Sequence, residues 1–310
     1  MLEKNKVYRA RIQGYTSEGL GVARIDGQAV FVHQALRGEE CDILVLKVLK
    51  NAAFGKAVRV YEPSPHRVEP DCPYYGRCGG CDFRHMDRAE ELAAKRQRVQ
   101  DALARIGGSA VTVESIDGGE PLHYRNKSQY PVAADGSVGF YKARSHQVIP
   151  VERCRIQKPQ ADAAAQALRT YLRLYGVSCY DEKTRRGLVR YLYVRTNGAG
   201  QSLLCVLVNG KKLPHERELV DLLRQAVPET VGVVLGVNTR PTGAVLGQEY
   251  RTLWGADVLT DTLCGLTFRL SVPSFYQVNR EMAEVLYRRA VEFAGLTGTE
   301  TVLDLYCGAG

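Results

Sequence analysis

The sequence predicts a multidomain α/β protein with three parts: an OB-like small β-barrel at the N-terminus, an α+β central domain, and the beginning of a Rossmann-like, doubly wound sheet. Three observations predict it. Residues 1–61 step between apolar and polar side chains in short runs punctuated by glycines, which is the pattern of short strands and tight turns. Residues 62–270 interleave strand-like runs with segments of helical period. From residue 271 a helix leads into an apolar strand that ends in an acidic residue and a Gly-x-Gly turn. At 310 residues the chain exceeds one ordinary core of roughly 100–200 residues, so division into domains follows from length alone.

In the first part, Val7–Ile12 alternates, Ala29–Val32 is apolar, and Cys41–Val48 is a long β-rich run, with Gly14, Gly19, Gly21 and Gly27 at turn or bulge positions. A barrel of about five strands closes in such a length. Glu62-Pro63-Ser64-Pro65-His66 interrupts all periodicity, because two prolines so close favour extended chain over helix or strand. Beyond a cysteine-rich segment, Asp87–Ile106 places Leu92, Val99, Leu103 and Ile106 on one helical face, and Gly107-Gly108 ends that helix. Strand-like runs then dominate from Val111 to Phe268, among them Leu188–Arg195, Leu203–Val208 and Val231–Val237, with one clear helix over Pro159–Tyr175. Glu281–Ala294 reads as a helix with Met282, Val285, Leu286 and Phe293 apolar, and Thr301–Tyr306 as a buried strand entering Gly308-Ala309-Gly310.

Hydrophobic residues at 45% and charged residues at 25% are the balance of a globular protein, and exclude a disordered or fibrous chain. No apolar run approaches the roughly 18 residues of a membrane span, and the first residues lack the apolar heart of a signal peptide. A cytoplasmic protein is expected. Lys and Arg outnumber Asp and Glu by 42 to 34, for a net charge of +8 and a pI near 9.0, which suits a polyanionic partner without requiring one.

Nine cysteines without an export signal point to reduced thiols, so a cluster of them is suited to metal. Cys72, Cys78 and Cys81 lie within ten residues, with Gly76, Gly79 and Gly80 between them. Soft thiolates select zinc, copper or iron-sulfur centres, and glycines let the backbone wrap closely and aim amides at sulfur. Zinc would favour a second Cys-x-x-Cys knuckle or a histidine pair, and none is nearby. A cubane cluster commonly takes three thiolates from one loop and a fourth from a distance. Cys154, in a polar break between apolar runs, is a candidate for that fourth, although spacing alone scarcely separates it from a buried free thiol. Cys41, Cys179, Cys205 and Cys264 read as structural.

Taken together, the N-terminal barrel, the Cys72–Cys81 run and Asp304-Leu305-Tyr306-Cys307-Gly308-Ala309-Gly310 resemble the RNA (uracil-5-)-methyltransferase family, in its iron-sulfur-containing 23S rRNA branch. Tyr124-Arg125-Asn126-Lys127, Val245-Leu246-Gly247 and Ser274-Phe275-Tyr276-Gln277-Val278-Asn279 look like further landmarks in the family's order. The resemblance implies an N-terminal TRAM domain over residues 1–61, a 4Fe-4S cluster in the central domain on Cys72, Cys78, Cys81 and Cys154, and S-adenosylmethionine contacted by Gln277 and Tyr306. It implies 23S rRNA as partner, a monomer, and a methyltransferase domain that begins at residue 271 and is truncated at residue 310. The helix over 87–106 is expected to pack on that domain.

Such a reaction needs a thiolate that adds to C6 of uracil, so that C5 becomes nucleophilic enough to take a methyl group, and a base that then removes the C5 proton. The resemblance places both in later strands of the methyltransferase domain, and Cys307, inside the cofactor turn, reads as structural. This chain alone is therefore expected to be inactive. Arg125, Lys127, Lys142 and Arg144 bracket Tyr124, Tyr130 and Tyr141, a mixture of charge and aromatic faces that suits single-stranded RNA. Lys183-Thr184-Arg185-Arg186 reads as an exposed loop. The rival function is a non-catalytic RNA-binding module with a structural metal centre.

Overall fold

A computed structural model describes residues 2–305, which pack as two units, Met1–Gly118 and Gly119–Gly310. The first is a six-stranded sheet of β1 (Val7–Arg11), β2 (Gly14–Tyr15), β3 (Gly21–Ile25), β4 (Gln28–His33), β5 (Glu40–Val48) and β6 (Ala52–Glu62), in the order β1-β5-β6-β4-β3-β2. The chain just beyond β1 closes the sheet on itself, since the Gln13 N–H donates to the Val22 carbonyl at 2.7 Å. Inside lie Ile12, Ala23, Val30, Val32, Ile43 and Val45, the inward half of each alternating strand. Six strands form rather than about five, because the two-residue β2 is too short to show periodicity. Gly55 is required where β6 crosses β5: a side chain there would come within 2.6 Å of Ile43 and 2.9 Å of the Leu44 carbonyl.

The proline-containing segment after β6 is fastened back onto the barrel by one buried carboxylate. Glu39, with no exposed side-chain surface, accepts from Arg67 Nε and Nη2 at 2.5 and 2.6 Å, from the Leu36 amide at 2.8 Å and from the Ser64 amide at 3.2 Å. Helix α1 (Arg88–Arg105) starts at Asp87, whose side chain accepts from the Glu90 amide, and is tied to the barrel by Glu90, which accepts from the Tyr15 hydroxyl and from Arg37. Of its expected apolar face, Val99 and Ile106 are exposed and Leu92 and Leu103 half-buried.

The second unit is built on a five-stranded mixed sheet in the order β13-β12-β11-β10-β7. Its chain order is β7 (Lys127–Pro131), a hairpin of β8 (Gly139–Tyr141) and β9 (Val148–Pro150), α2 (Pro159–Leu174), β10 (Val189–Thr196), β11 (Ser202–Val208), α3 (Glu216–Ala226), β12 (Thr230–Val237) and β13 (Glu249–Gly255). A second hairpin, β14 (Val258–Leu263) and β15 (Leu266–Ser271), and helix α4 (Arg280–Ala294) follow. β11 and β12 are the one parallel pair in the sheet, joined by α3 as a crossover requires. β10 and β11 are buried at every position, which explains the continuous apolar run of β11: α2 and α3 cover one face with Leu168, Tyr171, Leu219 and Leu223, while Leu259 and Val272 pack on the other.

Helix α3 is absent from the sequence reading. It begins after left-handed His215 with no side-chain cap, so its start carries no local signal. At the other end the expected buried strand does not form. Residues 301–305 have no strand pairing, and Val302, Leu303 and Leu305 are 66%, 79% and 69% exposed. An apolar run becomes a strand only beside another strand, and none of the described residues supplies one. Tyr306, Cys307 and the Gly-x-Gly turn lie outside the described residues.

Candidate functional site

The cysteine loop belongs to the first unit. Its backbone turns tightly, with the Tyr75 amide on the Cys72 carbonyl at 3.0 Å and the Cys78 amide on the Tyr74 carbonyl at 2.8 Å. Burial raises the Cys78 thiol above its usual range against a hydrogen bond from the Gly80 amide, and the Cys72 sulfur adds to the rise. Arg84 senses both Cys72 and Cys81 while it grips Asp71 through two bonds of 2.7 and 2.9 Å. All three cysteines are partly buried. Their chemistry, and the amide aimed at Cys78, fit a sulfur-ligated centre. Among the described residues no three of His, Cys, Asp and Glu converge as metal ligands.

Cys154 is carried by the second unit and is also partly buried, with its amide donating to Asp162 at 2.9 Å. Cys41 and Cys205 are buried within strands, as a structural role requires, and burial pushes the Cys41 thiol up to about 11.

Two of the landmark segments meet in the second unit. The chain turns from the end of β15 at Ser271 to Asn279 before α4, and Asn126, only 4% exposed, holds this turn from the position just before β7. The Asn126 Nδ2 donates to the Gln277 carbonyl at 2.9 Å and its backbone N–H to the Val278 carbonyl at 2.8 Å. The Asn126 carbonyl in turn accepts from Thr196 at 2.8 Å, and Arg125 is bonded through its amide to Ile156 and through its carbonyl to Lys158. Further anchors flank the turn. Tyr276 donates to Asp261 at 2.9 Å, Arg195 donates to the Ser274 carbonyl at 2.5 Å, and Asn279 caps α4 by accepting from Met282. The Gln277 backbone is thus fixed from several directions, while its side chain is only half-buried.

Asn126 lies in a landmark segment that the sequence showed, but its supporting role, and those of Arg195 and Asp261, were not read from the sequence. The bond from Asn126 to Gln277 spans 151 positions, and no local pattern reports it. Two arginines set in a strand rich in Val, Tyr and Leu, Arg190 and Arg195 of β10, were the one available signal.

The basic residues divide. Arg125 and Lys127 stand beside the turn, and Lys183–Arg186 is an exposed turn as expected. Tyr130 is not a surface for stacking bases: it is fully buried and donates to Asp162 at 2.9 Å. Tyr141 bonds Tyr191 and Glu182 through its hydroxyl.

The TRAM domain family matches residues 2–58, the whole extent of the six-stranded barrel but its last strand's end. Over its full length the chain is 40% identical to an uncharacterized RNA methyltransferase of Clostridium tetani and 40% identical to another of Halalkalibacterium halodurans, covering 68% and 69% of those proteins. The chain belongs to the RNA methyltransferase family. It spans about two thirds of the length of these relatives. In fold it is similar to the Pyrococcus abyssi tRNA (uracil-54, C5)-methyltransferase, solved in complex with S-adenosyl-L-homocysteine. That likeness has a TM-score of 0.72 at 20% identity, over 92% of this chain and 64% of the other. No helix among the described residues is long and apolar enough to cross a membrane.

Proposed function

We propose that the chain carries the RNA-binding and cluster-bearing part of a cytoplasmic, monomeric methyltransferase that converts a uridine of 23S rRNA to 5-methyluridine with S-adenosylmethionine. The observation that carries the reading is the fixed turn at residues 271–279. A methyl donor must be held within reach of one carbon, and a side chain on a backbone anchored by Asn126, Arg195 and Asp261 can hold it without further ordering. Gln277 is assigned the contact to the cofactor, and Tyr306 joins it on the family resemblance. The thiolate that adds to C6 and the base that takes the C5 proton are assigned to no residue of this chain.

Cys72, Cys78 and Cys81 are assigned to a 4Fe-4S cluster, with Cys154 as the fourth thiolate on the same resemblance. Methyl transfer needs no electron, so the cluster would supply shape and charge to the loop that carries it. Anaerobic purification with iron, sulfide and zinc analysis tests this. Iron and sulfide in equal amounts with a visible charge-transfer band support the cluster, and zinc without iron refutes it.

The target is tested in the source organism. Deleting the gene should abolish 5-methyluridine at one or two positions of 23S rRNA, read by mass spectrometry of nuclease fragments, while tRNA keeps its own. Unchanged 23S rRNA would overturn the proposal.

A further inference from the structure

Arg195 is 1% exposed, yet among the described residues its guanidinium donates one geometrically formed hydrogen bond, to the Ser274 carbonyl, with the Tyr193 ring 5.6 Å away as its aromatic neighbour. Its Nε and Nη1 have no partner, and neither has the nearby Arg125 Nε. Lys127 stands directly opposite Arg195 in the β7–β10 register. Burial, then Arg195, then Arg125 hold the Lys127 ammonium below its usual range, which places the three cations together. Among the described residues no carboxylate forms an ion pair with any of them; the neighbouring Asp261 is taken by Tyr276 and Arg280. Burying a guanidinium without a counter-charge costs several kcal/mol, and water satisfies its hydrogen bonds without neutralising it.

We propose that Arg125, Lys127 and Arg195 form a binding site for one phosphate of the RNA backbone, beside the turn that carries Gln277. A guanidinium with free donors next to an ammonium is the pairing that recognises a phosphodiester. The carboxylate of S-adenosylmethionine is the weaker candidate, since three positive charges would oppose the sulfonium of that cofactor. The site sets where the strand enters relative to the methyl donor. This rests on the RNA reading above and adds the anchor.

The test measures a single-stranded oligouridylate of six residues binding to the intact chain, as a function of salt. Each phosphate held contributes a slope of about −0.7 in log K against log salt, so R195M should weaken binding about tenfold and flatten the slope by roughly that amount. K127M, on the half-exposed rim, should do the same with the fold intact and serves if R195M fails to fold. R195K should restore most of the slope and part of the affinity. Equal affinity and equal slope in wild type, R195M and K127M would overturn the phosphate site while leaving RNA binding standing. No binding even by wild type would overturn both. Loss of S-adenosylhomocysteine binding with an unchanged RNA slope would reassign the site to the cofactor carboxylate and refute the proposal.

Discussion

Glu39→Gln is the perturbation that best tests how the cysteine loop is held to the barrel. Four donors converge on the two oxygens of Glu39, two of them from Arg67, so the glutamine must turn an NH2 group toward donors that need acceptors. Arg67 is left without its counter-charge, with only about a quarter of its side chain exposed, at 27%. Removing one partner of a buried pair costs about 3–5 kcal/mol, and the partial exposure of Arg67 argues for the lower end, about 3 kcal/mol. For a unit of 118 residues that is a fall in Tm of about 12 °C. Differential scanning calorimetry of wild type, E39Q, R67M and the double variant is the assay, and the double variant should cost less than the two singles added.

The charge also sets a pH signature. Burial pushes the Glu39 carboxyl up, but the Arg67 side chain and the Leu36 and Ser64 amides outweigh it, and the net value lies below the usual range. A depressed carboxylate contributes stability that is fully present above its unfolded value of about 4.5 and is lost as pH falls through the folded one. The gap between wild type and E39Q should therefore close below pH 4.5 and stay constant above it. A drop in Tm under about 3 °C at pH 7, or a gap that does not close in acid, would refute the reasoning.

Two further outcomes are expected. Asn126→Ala leaves the Gln277 carbonyl without its donor and should destabilise the second unit by about 1–3 kcal/mol in urea unfolding, and an unchanged midpoint would show that water replaces the amide. His85, 2% exposed, has its ring held by burial near a pKa of about 4, below the 6.5 of a free imidazole. Its neutral form is the stabilised one, so the first unit should lose about 2 kcal/mol between pH 6.5 and pH 5; H85Q should lack this loss, and parallel pH profiles would discard the assignment.

The barrel was legible because alternation and glycine spacing are local properties of the chain, and β5 and β10 to β12 were legible from runs rich in β-branched, aromatic and aliphatic residues. What escaped depended on partners distant in sequence. β2 is a strand only because β3 lies beside it, and α3 is a helix because Leu219, Val220 and Leu223 find the sheet. Tyr130 read as a base-stacking surface since nothing near it in sequence reveals Asp162. Gln277 was legible solely through family likeness. The residues that hold its backbone sit just before β7, on β10 and on β14, and nothing near Asn126, Arg195 or Asp261 in sequence shows which carbonyl or hydroxyl each one holds.

The junction at Arg125 and Asn126 has a bearing on how the protein can be divided. Those two residues are bonded at once to Ile156 and Lys158, to Thr196 and to Gln277 and Val278. A cut after residue 270, where the sequence suggests that one domain gives way to the next, would strip Asn126 and Arg195 of their acceptors and Asp261 of its tyrosine. The turn to which the methyl donor was assigned is thus architecturally the last piece of the fold that precedes it, and exchanging the following domain between relatives would keep its geometry only if the seam were moved beyond the cap of α4 at Asn279.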